Sequence, residues 1–408
     1  MSPPEHEPSL SHSRPIRSDD LRSIDLNTLP NAAAEPILTW TVSSGPVAGL
    51  AIDDVIGVVA TGSDRGLVGV FDLVTGEGRA RFLTDGWVWS LTFSPDHRLL
   101  TAVGLDGSMW CWNWTRHERI VDGVIPGIQA QNGRPWLSDC GRRMAMMKSD
   151  GLMIWDVQGF ARTCLIRPPG SMGEAVAFDE KAERVFFATG VGGTGKMVPG
   201  DMTRKVNGAL HILSADDVAA VPAADASVTA GGAQRNQMWR VDNARPVELP
   251  ASIADLAINL VSIVGDRHLV VSRGRVLESF DLVNGARIGP SIELPEFPRR
   301  IDTRGELVAV LGQGWLVVNW RTGELVAGRR APKPPSRPPS RPPGQPAGRP
   351  SSAPRARGGK RPRPKPPAPV RPQPMRVRLS RSGSHVVVSS SPGLVELFDV
   401  ESCRAVSS

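Results

Sequence analysis

The sequence has no tyrosine, four cysteines, and only 5% aromatic residues. Lysine is scarce too, supplying seven of the 48 basic side chains. Arginine over lysine without tyrosine reads as a GC-rich coding bias, so neither is taken as a functional signal. Cys111, Cys140, Cys164 and Cys403 lie far apart and form no Cys-x-x-Cys pair. That spacing argues against a disulfide framework or a zinc site, and it predicts reduced, buried thiols in a cytoplasmic protein. No apolar run reaches the roughly 18 residues that a membrane span needs. The polar start, Met1 to Leu10, lacks the apolar core of a secretion signal. The seven histidines (His6, His12, His97, His117, His211, His268 and His385) never fall in HxH or HExxH spacing, and no Gly-x-Ser-x-Gly elbow is present. The sequence therefore predicts no metal, no cofactor and no catalytic constellation.

What the chain has in quantity is glycine (42) and proline (37), a composition of many turns and few long helices. Its strongest pattern is a repeat. Residues 87–114 read WVWSLTFSPDHRLLTAVGLDGSMWCWNW. An alternating strand ends at Phe93, followed by the turn Ser94-Pro95-Asp96-His97. A second strand spans 99–104, the Asp106-Gly107 pair turns it, and a third strand begins at Ser108. Proline and aspartate pre-organise the first turn, and Asp-Gly supplies the positive φ of a tight hairpin. The same grammar recurs over 47–76, with Asp64 at the second turn and Phe71-Asp72 closing the third strand. A shorter copy covers 136–156, with Asp150 and Trp155-Asp156. Other closing strands end at Phe280-Asp281, Val318-Asn319 and Phe398-Asp399. Successive closing residues, Asp72, Asn113 and Asp156, stand about 40–45 residues apart, the period of a propeller blade.

The segment SLTFSPDHRLLTAVGLDGSMWCWN resembles the WD40 repeat, and Trp155-Asp156 is its eponymous dipeptide. The resemblance covers roughly 37–330 and 375–408. It implies an all-β fold, a single β-propeller of seven four-stranded blades beginning near 46, 87, 126, 172, 253, 297 and 375. Such a ring implies a non-catalytic scaffold for a protein or peptide partner. The family's Gly-His dipeptide is absent throughout, so its hydrogen-bonded network is incomplete and the blades must depend more on apolar packing. In the fourth blade the strands are expected at 174–179, 183–190 and 209–216, with an extra strand at 238–242 that could belong to an eighth blade. Two segments compete to close the ring: ILTWTV (37–42) and the terminal RAVSS.

Domain boundaries follow: 1–35, a disordered N-terminal segment; 36–330, blades one to six with a candidate closing strand; 331–374, a disordered Pro/Arg-rich insertion; 375–408, the last blade. Residues 329–376 hold 11 arginines, three lysines and no acidic residue, and outside them 34 basic residues face 41 acidic ones. Seventeen prolines in 331–374 exclude helix and sheet ladder there. This arm carries the alternative function, binding of an acidic protein, nucleic acid or an anionic surface, with Arg337, Arg341, Lys360, Arg361, Arg363 and Lys365 as contacts. Two P-x-x-P-x-R matches, 332–337 and 366–371, would suit SH3-type grooves, and the absence of aromatics in the arm excludes base stacking. Trp87 is the candidate partner-binding residue of the ring itself. GVGGTGKM (190–197) fits G-x-x-x-x-G-K, but Met197 replaces the Mg²⁺-holding hydroxyl and Pro199 follows where a helix should start, so a hairpin loop is the expectation. A propeller enzyme is the last alternative.

Overall fold

Strands in this protein are apolar on both faces: Leu307–Leu311 reads LVAVL and Trp315–Asn319 reads WLVVN. Continuous apolar runs of this length suit a sheet covered on both sides. In the computed structural model the residues 21–24, 35–42, 45–125, 135–148, 151–166, 175–188, 236–242, 245–329, 373–391 and 393–405 are described. They form seven sheets arranged as a β-propeller. Blade one is Val47–Asp53, Val58–Ser63, Leu67–Asp72 and Gly78–Leu83. Blade two is Val88–Phe93, Leu99–Gly104, Ser108–Asn113 and Glu118–Val124. Blades three, five and six follow the same antiparallel order, beginning at Trp136, Leu260 and Arg300.

Alternation divides each strand between two neighbours. Val308 and Val310 pack toward blade five, whereas Ala309 and Leu311 pack toward blade seven. The result is seven apolar clusters, one at each blade–blade interface, and not one central core. Trp112 is 1% exposed and stacks on Phe82 at 5.0 Å in the cluster between blades one and two.

The repeat has a local cause. The closing Asp or Asn accepts backbone N–H groups of the turn that follows it: Asp72 from Val74 and Thr75, Asn113 from Arg116, Asp156 from Gly159. Asp281, Asn319 and Asp399 do the same in blades five to seven. This side-chain cap satisfies donors that the turn would leave unpaired. The first hairpins are held similarly, Ser94, Ser138, Asp179 and Ser380 each accepting an N–H four or five residues ahead.

Three expectations change. The third strand of blade four is Gln237–Arg240, paired with Arg184–Phe187 on one side and Arg245–Val247 on the other. It takes the place given to 209–216, which lies outside the described residues, and 238–242 completes blade four instead of starting an eighth blade. Leu21–Ser23 falls within the stretch expected to be disordered, yet it forms a fifth, parallel strand on Ser291–Glu293 of blade five. Ile24 packs into the cluster between blades five and six, anchoring it. Ring closure is also decided: Leu38–Thr41 pairs antiparallel with Leu394–Asp399, while Val400–Ala405 is helical. Blade seven thus draws its outer strand from the N-terminal region and begins at Gln373–Leu379.

Candidate functional site

The first strand of every blade lines a central channel, a cavity of about 220 Å³, and all start from the same face, here the upper one. Strand alternation puts the hairpins between second and third strands on that face, with the connections between blades. The chain therefore leaves blade four after Ala188 and blade six after Arg329 on the upper face, and returns there at Asn236 and Gln373.

Charged residues enter the channel mainly from blades six and seven, at alternate positions of their first strands: Arg300, Asp302 and Arg304, then Arg376 and Arg378. Period-2 spacing puts each set on one face. Near the upper mouth Arg376 lies 4.2 Å and Arg300 5.2 Å from the ring centre of Trp89, cation–π distances. Arg376 also donates to the carbonyls of Ala48 and Trp89, tying blade seven to blades one and two.

Deeper in the channel the charges pair. Asp302 accepts from Arg378 (2.7 Å) and from the Leu379 backbone N–H (2.7 Å), joining blades six and seven. Arg304 reaches across to Asp139 of blade three at 2.6 Å, and the Thr92 hydroxyl donates to the Asp139 carbonyl. Burial would raise the Asp139 carboxyl, but the Arg304 and Arg378 charges outweigh it and hold the group below the usual carboxylate range. Its side chain is 45% exposed. Arg304 is correspondingly held more firmly protonated than a free guanidinium. Asp139 and Asp302 are thus ion-paired across blades, with Arg304 and Arg378 respectively, and brace the ring.

Trp87 sits on the upper rim, in the connection entering blade two. It is partly buried, edge-on to Trp89 at 6.1 Å, and its indole N–H is buried without a partner. Phe297, in the connection entering blade six, is 69% exposed on the same face. No family model matches this sequence, and no curated protein matches it. Arg337, Arg341, Lys360, Arg361, Arg363 and Lys365 lie outside the described residues, as do Asp150 and residues 190–197. The channel arginines and aspartates escaped the sequence reading, although their alternation in RIDTR and RVR was a legible sign of an inward-facing polar row.

Cys111 and Cys164 are buried in different blades, and burial pushes the Cys164 thiol up to about 12, so it stays protonated and unreactive. No described helix is long and apolar enough to cross a membrane. Among the described residues no group of three metal-ligating side chains converges.

Proposed function

We propose that this chain is a non-catalytic, WD40-like scaffold that binds a protein partner on the upper face of its ring. One observation carries the reading: both long excursions leave from that face, around a channel mouth lined by Trp89, Arg300 and Arg376, and the same face carries Trp87 and the exposed Phe297. Tryptophan and arginine are the residues enriched at binding hot spots. The WD40-like assignment rests on the Asx-capped closing turn and on the SPD-type first hairpin. The unreactive buried thiols fit a cytoplasmic setting. Cross-linking of the full chain to co-purified proteins tests the reading. Cross-links should concentrate on the upper face; an even scatter over both faces, or none to the ring, overturns it.

A second reading assigns binding of nucleic acid, an anionic surface or an acidic protein to residues 329–376. It draws support from the point where the arm is rooted, beside Arg376 at the cationic side of the mouth. Counterion release would make nucleic-acid affinity fall steeply with salt. Binding that is flat between 50 and 200 mM salt, concentrations about those over which such contacts lose most affinity, excludes nucleic acid.

A further inference from the structure

A second concavity, about 650 Å³, opens at the rim between blades seven and one, away from the channel. Its origin is the closing strand. Leu38–Thr41 has four residues, whereas the outer strand of blade one, Gly78–Leu83, has six. Among the described residues, the face of blade one that looks toward blade seven is therefore incompletely covered beyond Thr41 and Val42. Across that bare sheet runs one cross-strand row, Thr61 opposite Gly69 and Gly69 opposite Arg81. Gly69 makes the floor: a Cβ there would stand 2.6 Å from the Phe71 ring, so the aromatic lies over the bare backbone. A Cβ at Gly78 would meet nothing within 4 Å, so the groove is open beside it.

The lining is apolar at Val42, Leu67 and Phe71 and cationic at Arg79 and Arg81, with His117 at the edge. No aspartate or glutamate is among the lining residues. Arg79 is engaged with Asp72 on the turn below, while Arg81 is exposed on the strand. The volume falls within the range of ligand-binding clefts, and the exposed edge of Gly78–Leu83 offers backbone groups to an extended chain.

We propose that this groove binds an extended acidic peptide segment of a protein partner, an apolar side chain resting on Phe71 and a carboxylate meeting Arg81. The inference builds on the scaffold reading in taking the occupant to be a protein, but it places the contact on the rim and not on the upper face. Charge complementarity selects the occupant: basic peptides would be repelled, and uncharged ones would leave Arg81 unanswered.

The test is selection from a displayed random dodecapeptide library on the immobilised full chain, run beside Arg81→Glu and Gly78→Leu. Both substitutions are at exposed strand positions, and unchanged urea midpoints will show that each variant folds. Selected sequences should be rich in Asp and Glu around one aliphatic or aromatic residue. The best of them, as a labelled synthetic peptide, should bind about tenfold more weakly to Arg81→Glu, the loss expected for one charge-assisted contact, and at least as weakly to Gly78→Leu, whose side chain fills the open space beside the strand. Absence of acidic enrichment, or acidic peptides that bind both variants like the parent, overturns the proposal. So does a parent chain that sediments as a dimer and becomes monomeric with Arg81→Glu, which would assign the groove to a second copy. Partner cross-links that persist on the upper face of Arg81→Glu while its peptide binding is unchanged reject the groove and leave the scaffold reading standing.

Discussion

Blades two and seven have the same four-stranded plan and are held together differently. Blade two is one contiguous stretch, 88–124, whose strands meet through short hairpins and whose turns are capped by Ser94, Asp106 and Asn113. Blade seven is gathered from 38–41 and 373–399, and its ties to the ring are long-range. Arg376 and Arg378 donate to carbonyls of blade one, Asp302 accepts from blade seven twice, and Ser389 donates to the Val47 carbonyl. Local hairpins cost little loop-closure entropy, whereas distant strands must overcome more of it before contacts form. The inner strands of blade seven are thus fixed to blades one and six by polar cross-ties in addition to their apolar interfaces.

Truncation should separate the two blades most sharply. Removing residues 1–42 strips the closing strand and exposes the edge of Leu394–Asp399, a template for association. The expected result is loss of a single cooperative urea transition and higher-order species on size-exclusion chromatography. Removing only 1–24 takes away the parallel strand on blade five and should leave a monomer with one transition.

Next in size is Asp302→Ala, which leaves the Leu379 N–H without its acceptor and takes from Arg378 its nearest carboxylate, at a site where Asp302 is 5% exposed. Urea denaturation should show a loss of about 3 kcal/mol, typical of breaking one partner of a buried pair. In blade two the exposed Arg119–Asp122 pair is the control, and Arg119→Ala should cost well under about 1 kcal/mol. Equal losses would refute the distinction between the two blades.

A finer contrast lies among the tryptophans. Trp114 donates to the His97 carbonyl at 2.9 Å, whereas the Trp155 indole N–H is buried with no partner. Replacing each by Phe should cost about 1 kcal/mol more at 114 than at 155, the net value of one hydrogen bond.

The smallest effect concerns acid. The backbone N–H of Thr75 and the Arg79 guanidinium lower Asp72 from 3.8 to about 2. A carboxyl whose folded value is depressed stabilises above its unfolded value, and that stabilisation fades as pH falls toward 2. Asp72→Asn keeps the turn cap, as Asn113 does in blade two, and removes the charge. Its thermal midpoint should accordingly vary less than the parent's between about pH 4 and 2.

Much of the ring was legible because its signals are local. Inner strands begin at 47, 88, 136, 176, 260, 300 and 373, close to most of the starts that the repeat implied. The capped turns explain this, since each blade announces itself within a few residues. Blade four was misread because the chain leaves between its second and third strands, and 209–216 looked as strand-like as the true partner, Gln237–Arg240. Pairing choice across such a gap depends on packing, here of Trp239 and Met238 into two different interfaces. Leu21–Ser23 was missed for a similar reason, three residues being too few to show alternation. The channel charges are a tertiary property, as Arg304 and Asp139 meet across 165 positions of sequence.

Closing the ring with an early strand also sets an order of events in the cell. Leu38–Thr41 emerges first, yet its ladder partner among the described residues, Leu394–Asp399, is some 350 residues behind it. At synthesis rates of roughly 5–20 residues per second, that interval is about 20–70 s. Throughout it, six blades and half a clasp must wait as an open arc with two unpaired ends. Chaperone dependence of the nascent chain should therefore last until its final blade is made, and the lag would be visible as late acquisition of protease resistance.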